Sequence, residues 1–381
     1  MRNLHHSTCS VIPPHILRHL AEHGDDEARE TISSTLHHTV QIEQERSASL
    51  IETPPPAASH QKRRYVYDVN HGLRLPGKLI MNERKQVSDD PEAKEAFEGS
   101  GATYDFFAKT FLRNSIDDRG MRLDSTIHYG RHFDNALWNG RQMIYGDGDG
   151  KLFNRFTAAV DVIGHELTHG VTQYSAALEY FGQSGALNEH ISDVFGIMVK
   201  QHSLAITAVQ SNWIIGEGLF SAAIRGKGIR SMKAPGTAYD DPLLGRDPQP
   251  AHMRNYVNIR EDNGGVHINS GIPNHAFYLA ATALGGYAWI VAGRIWYRVL
   301  NGRLSPQTSF QDFANATVIA AGQLYGLGGQ VQTTVAEAWS AVGLDVPPAL
   351  LKPGRGSGPL PGQKWRDRPA TRPTPPMNVN Q

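Results

Sequence analysis

Two histidines and a glutamate lie within five residues of one another at a spacing that suits a metal site. Residues 161–169 read DVIGHELTH, so His165 and His169 are four positions apart, with Glu166 between them. On an α-helix, positions i and i+4 share a face, and two imidazoles there can reach one tetrahedral Zn²⁺. Glu166 would then point at the open coordination position and activate a water. Alone the pattern is weak, because any helix surface with a histidine pair produces it.

Acidic residues further along the chain strengthen this interpretation. Glu189 and Asp193 are again four positions apart, in an apolar stretch where unpaired carboxylates would be costly. Glu189 can complete a His₂Glu site with water in the fourth place. Asp193 and Asn188 are candidates for residues that orient the metal ligands. Asp193 can do so by accepting a hydrogen bond from the free imidazole N–H of a ligating histidine. The alternative is a solvated acidic face. A metzincin would carry a third histidine where Ser175 stands, and no aminopeptidase-type GxMEN motif precedes the site.

Six segments give the chain its resemblance to a known family. They occur in the family's order over residues 65–348, and on them the chain resembles the thermolysin family of zinc endopeptidases. The segments are 134–139 (DNALWN), 145–150 (YGDGDG), 165–172 (HELTHGVT), 187–193 (LNEHISD), 229–232 (IRSM) and 262–274 (DNGGVHINSGIPN).

The resemblance implies roles for further residues. His267, oriented by Asp262, and Tyr180 would donate hydrogen bonds to the oxyanion of the tetrahedral intermediate, while Glu166 moves the proton from water to the leaving amine. Taken singly, His267 could be a satisfied loop histidine and Tyr180 a core aromatic. Asn135, the backbone of Ala136 and Arg230 would hold the substrate. The family's pocket for the residue after the scissile bond maps onto apolar positions, which predicts a preference for a bulky hydrophobic residue there. These positions are Phe156, Val162, Ile215, Leu219 and Ile229.

The chain departs from the family at its double-calcium site. Asp161 and Glu217 match the acidic ligands and remain candidates for calcium. However, Lys200 stands where a bridging acid is expected, and Asn212 and Ile214 replace further acids. A lysine ammonium can replace the charge of a cation. We therefore expect fewer Ca²⁺ ions than in thermolysin itself.

The N-terminal residues also depart from the large-propeptide members. Residues 11–18 (VIPPHILR) resemble the short pro-segment of the protealysin-like branch. That resemblance implies a compact inhibitor, removed autocatalytically near residues 50–65. A thiolate of Cys9 that blocks the zinc is a second interpretation.

Composition and periodicity predict an α+β fold with two lobes, and the resemblance implies that it is thermolysin-like, with zinc in the cleft between the lobes. Residues 1–60 form a pro-segment and linker, with a proline run at 54–56. A β-rich catalytic lobe follows at 61–160, with one helix near 91–114. Residues 161–350 form an α-helical lobe with apolar runs near 157–173, 188–203, 272–300, 309–324 and 331–342, and 351–381 form a disordered Pro/Gly-rich basic tail.

Charge and hydropathy exclude several other classes of protein. The formal net charge is +0, from 37 basic and 37 acidic residues, which argues against a nucleic-acid partner. No apolar stretch is long enough for a membrane span, and no classical signal peptide is seen, which predicts non-classical secretion or an intracellular location. We expect a monomer acting on proteins or peptides. A zinc-binding module that keeps the fold without catalysis is the alternative, but Glu166, His267 and Tyr180 are all present.

Overall fold

A computed structural model describes residues 10–48 and 61–351 of the chain. It has the predicted α+β architecture, in which a β-sheet lobe precedes a mainly helical lobe. The predicted proline linker at 54–56, Cys9 and the tail from residue 352 lie outside the described residues. No helix in the described ranges is long and apolar enough to cross a membrane.

Two helices open the described chain, α1 (Pro14–His23) and α2 (Asp26–Ala48). Pro14 stands at the first helical turn of α1, where its missing N–H costs nothing. Ile16, Leu17 and Leu20 are buried on one face of α1 and join the main apolar core, as their spacing predicts. The 23-residue α2 was not predicted, because its sequence is polar and only weakly amphipathic.

The first lobe is built on a five-stranded sheet in the order β2-β1-β3-β5-β4. Its strands are β1 (Arg64–Asp68), β2 (Lys78–Asn82), β3 (Leu123–Ile127), β4 (Ala136–Trp138) and β5 (Met143–Tyr145). The three central strands β1, β3 and β5 are parallel to one another, whereas the end strands β2 and β4 run antiparallel to β1 and β5 respectively. Because β4 lies at one end of the order, its outer edge is open to pairing with another extended chain.

Helix α3 (Pro91–Phe111) packs across this sheet and begins at a well-formed cap. The Asp90 side chain accepts hydrogen bonds from the backbone N–H groups of Glu92 and Ala93, and Pro91 follows the cap. The helix ends at Leu112, which adopts a left-handed φ of 57°. The predicted helix near 91–114 is therefore present but ends earlier.

The second lobe contains α4 (Val160–Gln173) and α5 (Gly182–Ser203), which pack side by side. Four two-residue strands follow, β6 (Ile214–Ile215), β7 (Arg230–Ser231), β8 (Asp240–Asp241) and β9 (Gly245–Arg246), paired as two hairpins. The helices α6 (Glu261–Asn269), α7 (Gly271–Leu284), α8 (Ala292–Leu300), α9 (Phe310–Tyr325) and α10 (Gln330–Ala341) complete the lobe. The apolar run at 272–300 thus forms two helices, because Gly285 ends α7 with φ 71°.

Candidate active site

The packing of α4 on α5 brings the predicted metal ligands together. His165 Nε2 and His169 Nε2 lie 3.0 Å apart on α4. Glu189 of α5 approaches both, with its carboxylate oxygens 3.5 Å from His165 Nε2 and 3.4 Å from His169 Nε2. All three side chains are buried. Two ring nitrogens and a carboxylate therefore converge on one point inside the protein.

The surroundings of these three residues fit a divalent cation. The Nδ1 atoms of both rings are already engaged, His165 with Asp193 Oδ1 at 2.8 Å and His169 with Asn188 Oδ1 at 2.9 Å. Each ring can therefore present only Nε2 to an ion. Burial opposes the ionisation of Glu189, yet the charges of His267 and the two site histidines hold its pKa well below the usual range. An ionised carboxylate facing two nitrogens is the donor set that Zn²⁺ prefers.

Asp193 connects His165, one of the predicted metal ligands, to a buried cation. Arg230 forms a bidentate pair with this carboxylate through Nε and Nη2, both at 2.8 Å. Burial opposes the ionisation of Asp193, but Arg230 and His165 lower its pKa. Asn274 Nδ2 also donates to Asp193 Oδ2 at 2.8 Å. Sequence reasoning missed Asn274 because it lies 81 positions from Asp193, although it ends the matching segment 262–274.

Glu166 is held between the sheet lobe and the metal ligands. Its Oε2 accepts a hydrogen bond from the backbone N–H of Trp138 in β4 at 2.9 Å. Its Oε1 is buried with no hydrogen-bond partner among the described residues. Burial raises the pKa of Glu166 to about 8. One oxygen of the carboxylate is thus fixed by the protein, and the other is available to an incoming group.

His267 and Tyr180 both lie next to the Glu189 carboxylate. Tyr180 Oη lies 3.2 Å from His267 Nε2 and donates to Glu189 Oε1. Asp262 Oδ1 accepts from His267 Nδ1 at 2.5 Å, and Asp262 Oδ2 accepts from the His267 backbone N–H at 2.9 Å. Burial opposes protonation of His267, whereas Glu189 and Asp262 raise its pKa. The structure therefore brings together all three residues predicted for this side of the site.

The approach of His267 depends on a left-handed turn within α6. Four consecutive residues, 262–265, have positive φ angles between 51° and 83°. A Cβ on Gly264 would lie 3.1 Å from the backbone nitrogen of Gly182, and one on Gly265 would lie 2.9 Å from Asn269 Nδ2. The two glycines thus allow both the backbone conformation and the close approach of neighbouring atoms.

The N-terminal segment covers the edge strand beside the metal ligands. Ser10 pairs antiparallel with Leu137 of β4, and the Val11 N–H donates to the Ala136 carbonyl oxygen at 3.0 Å. The Ile12 N–H donates to Asn135 Oδ1 at 3.0 Å. Asn135 and Ala136, both predicted to hold substrate, therefore hold the chain's own N-terminal segment in this structure.

Helix α1 continues this contact across the second lobe. His15 Nε2 lies 2.9 Å from Tyr239 Oη, and His19 Nδ1 lies 2.9 Å from the Leu243 carbonyl oxygen. Burial lowers the pKa of His15 to about 4, and the charges of Asp262 and His267 act on the same ring. The segment therefore reaches from the edge of the sheet to the vicinity of the His267 loop.

The residues predicted for the hydrophobic pocket all belong to the main apolar core. Phe156 lies in a short 3₁₀ turn before α4, Val162 in the first turn of α4, and Ile215 in β6. Ile229 and Leu219 approach each other around Gly216, where an added Cβ would lie 2.9 Å and 3.2 Å from their Cδ1 atoms. These side chains are 0–1% exposed.

Lys200 occupies the place where the acidic residues Asp161 and Glu217 meet. Its Nζ lies 2.9 Å from Glu217 Oε2 and 3.4 Å from Asp161 Oδ2. It also donates to the Ile214 carbonyl oxygen at 3.3 Å, and Asn212 Nδ2 donates to Glu217 Oε1. Burial opposes the charge of Lys200, but Asp161 and Glu217 raise its pKa. The ammonium group thus contacts both candidate calcium ligands.

Three family models match most of the chain. The thermolysin metallopeptidase catalytic domain matches residues 33–173, and the thermolysin metallopeptidase alpha-helical domain matches residues 176–344. The protealysin propeptide matches residues 9–49, which contain α1 and α2.

Similar proteins cover nearly the whole chain. An extracellular metalloprotease of Pectobacterium carotovorum subsp. carotovorum is 50% identical over 345 residues, covering 89% of this chain and 97% of its own. Thermolysin of Alicyclobacillus acidocaldarius is 39% identical over 289 residues, covering 74% of this chain and 50% of its own. Among solved structures, the precursor of protealysin from Serratia proteamaculans has a TM-score of 0.82 and 50% identity, covering 88% of this chain and 99% of its own. The chain belongs to the protealysin branch of the thermolysin family and is a zinc metalloendopeptidase made with a propeptide.

Proposed function

We propose that His165, His169 and Glu189 hold the catalytic zinc and that Glu166 is the general base. The convergence of two Nε2 atoms, 3.0 Å apart, with the Glu189 carboxylate carries this assignment. When bound, zinc polarises the scissile carbonyl and lowers the pKa of its water. Glu166 uses its unpaired Oε1 to accept the water proton and then returns it to the leaving amine, while the Trp138 N–H keeps Oε2 in place.

His267 and Tyr180 are proposed to stabilise the negative charge that develops on the substrate oxygen. Both donors belong to groups that already lie near Glu189, and Asp262 holds the His267 ring through Nδ1 so that Nε2 faces the site. Preorganised donors of this kind are worth about 2.7–4 kcal/mol each in comparable sites.

Substrate is proposed to add to the edge of β4 as a further strand. The Ala136 carbonyl and the Asn135 side chain already make this kind of bond with Val11 and Ile12. Arg230 Nη1, which is buried and has no hydrogen-bond partner among the described residues, would bind a substrate carbonyl. This edge therefore positions the scissile bond next to Glu166.

A bulky hydrophobic residue after the scissile bond is the proposed preference. We expect peptides with Leu or Phe at this position to be cleaved about 10²-fold faster, measured as kcat/KM, than those with Ala or Asp, because the lining side chains are apolar. A matched peptide series, assayed by mass spectrometry of the products, measures this. Equal rates across the series would contradict the pocket assignment. The Glu166→Gln chain serves as the control for background hydrolysis.

The pro-segment is proposed to inhibit by occupying the substrate edge. Val11 and Ile12 use Ala136 and Asn135, which would otherwise hold substrate, and α1 anchors them through Tyr239 and Leu243. Removal between residues 50 and 65 is proposed to release the segment. The Cys9 alternative lies outside the described residues, and strand pairing explains inhibition without it.

The docking of α1 is expected to weaken at acid pH. Burial lowers the pKa of the docked His15 to about 4, against 6.5 when free, so docking is fully stable above about pH 6.5 and weakens as the pH falls towards 4. This difference in pKa corresponds to about a 30-fold decrease in the equilibrium constant for docking of α1 between pH 7.5 and pH 5. Hydrogen exchange of α1 in the uncleaved Glu166→Gln chain measures it, after correction for intrinsic rates. The same loss in a His15→Gln chain would show that His15 is not the cause.

Calcium is proposed to be absent from the Lys200 site, because the ammonium already bridges Asp161 and Glu217. In zinc-replete buffer, a calcium-selective chelator should leave the Tm unchanged. Lys200→Met should lower stability by about 1–3 kcal/mol, since the buried Asp161 loses its counter-charge. Lys200→Glu should make the Tm rise with added Ca²⁺. A calcium-dependent Tm in the wild type would overturn this assignment.

The domain boundaries are proposed to be 1–60 for the pro-segment and linker, 61–160 and 161–350 for the catalytic lobes, and 351–381 for the tail. The start of α4 at Val160 and the last described turn, Pro348–Leu351, support the two later boundaries.

A monomer is proposed, with no nucleic-acid partner. Since two relatives are named extracellular, secretion is proposed in preference to an intracellular location.

A further inference from the structure

A second cluster of metal-ligand side chains lies outside the catalytic centre. It consists of Glu92, His128 and Asp147, whose ligand atoms all lie within 4.8 Å of one another. His128 follows β3, and Asp147 follows β5 by two residues. Because β3 and β5 are parallel neighbours, their carboxyl ends meet at one edge of the sheet. Glu92 reaches this edge from the first turn of α3.

The histidine of this cluster has the surroundings of a metal ligand. His128 Nε2 lies 2.8 Å from Asp90 Oδ2, so a carboxylate orients the ring from its far side. The near side, Nδ1, faces Asp147 Oδ1 at 2.9 Å and Glu92 Oε2 at 3.7 Å. A ligating histidine typically donates its other N–H to a carboxylate, which fixes the tautomer. Asp90 is placed to accept in this way.

Glu92 supplies a further observation on this cluster. The residue is only 6% exposed, and its Oε2 is buried with no hydrogen-bond partner among the described residues. This is the oxygen that faces His128 Nδ1. An unpaired buried carboxylate oxygen costs free energy, and a cation between the three side chains would satisfy it.

The charge of the cluster also favours a divalent ion. Three carboxylates, those of Asp90, Glu92 and Asp147, surround one imidazole. His71 Nδ1 lies 3.4 Å from Asp147 Oδ2, and its side chain is 41% exposed. A cavity of about 210 Å³, lined in part by His71 and Asp147, adjoins the cluster at Asp147. One imidazole with two carboxylates suits an ion such as Zn²⁺, which accepts both nitrogen and oxygen.

We propose that Glu92, His128 Nδ1 and Asp147 bind a second divalent cation of the Zn²⁺ type, with Asp90 orienting His128. The ion joins the start of α3 to the carboxyl edge of β3 and β5. It is remote in sequence from the catalytic ligands and contributes to stability, since an ion that binds only the folded chain raises the free energy of unfolding.

Zinc counting in the full-length chain tests this site. The Glu166→Ala chain avoids self-digestion and should hold two Zn²⁺ per chain after reloading with Zn²⁺ and dialysis. Replacing both catalytic ligands in it, His165→Ala with His169→Ala, should leave one. Adding Glu92→Gln to that chain should leave none, whereas adding the control Glu98→Gln, on the exposed face of the same helix, should keep one.

Thermal unfolding separates an ion from a proton shared between carboxylates. With the catalytic ligands replaced, added Zn²⁺ should raise the Tm, and Glu92→Gln should abolish that rise while Glu98→Gln retains it. Glutamine has the same shape as a protonated glutamate. If the cluster needs only a proton, the Glu92→Gln chain would keep its Tm, and the Tm of the chain with Glu92 would not respond to Zn²⁺. If the Glu166→Ala chain holds only one Zn²⁺, and that ion is lost when His165 and His169 are replaced, the second site does not exist. The assignment of the catalytic site would then remain intact.

Discussion

Glu166→Gln should lower kcat/KM for peptide hydrolysis by at least about 10²–10⁴-fold without loss of zinc, because the amide cannot accept the water proton. Glutamine keeps the volume of the side chain, and its carbonyl oxygen can still accept from the Trp138 N–H. The change therefore removes the base while preserving its position.

A coupled peptide assay and zinc counting on the same preparation measure this effect. Glu98→Gln, an exposed residue on α3, is the matched control and should retain full activity. Stripping zinc from the wild type should abolish turnover, and restoring it should recover turnover only where Glu166 is present. Activity of Glu166→Gln within tenfold of the wild type would show that another group takes the proton.

Asp193→Asn is expected to have the largest effect on stability. The change leaves the buried guanidinium of Arg230 without its bidentate partner and His165 Nδ1 without a charged acceptor. Breaking a buried pair by removing one partner costs about 3–5 kcal/mol, and losing the carboxylate behind a ligating histidine lowers metal affinity about 10–100-fold.

Two measurements separate these consequences. Chemical denaturation at saturating zinc gives the free energy of unfolding, and competition with a chelator of known affinity gives the zinc affinity. Asp240→Asn is the control, since Asp240 is exposed and lies in a short hairpin away from the metal ligands. If Asp193→Asn has the same free energy of unfolding as this control, the Asp193–Arg230 pair does not stabilise the fold around the site.

The sequence predicted the parts of the site that depend on local spacing. His165 and His169 share a helical face whenever that segment is helical, and Glu189 with Asp193 repeats the same spacing. Resemblance supplied the residues that spacing alone could not connect, such as Tyr180 and His267, which lie 87 positions apart. The fold class followed from the order of strand-rich and helix-rich segments, and the structure and family comparisons confirm it.

Contacts formed only by tertiary packing were not predictable. The Trp138 N–H reaches Glu166 because β4 passes beside α4, and no side-chain pattern marks a backbone donor. Asn274 reaches Asp193 from α7. Helix α2 lacks a strong apolar stripe, so its helical state depends on capping charges and packing that periodicity does not register.

The pairing of Val11 with Ala136 has a consequence for the order of events in maturation. While the chain is intact, the twelve residues between Ala48 and position 61 join the inhibitor covalently to the catalytic lobes, so its contact with the β4 edge is intramolecular and does not depend on protein concentration. One cut in that tether makes the same contact bimolecular, and dilution then empties the edge even though no contact of the inhibitor has changed. Cleavage of the tether and destruction of the inhibitor are thus separable, and a solution of once-cut molecules would gain specific activity on dilution.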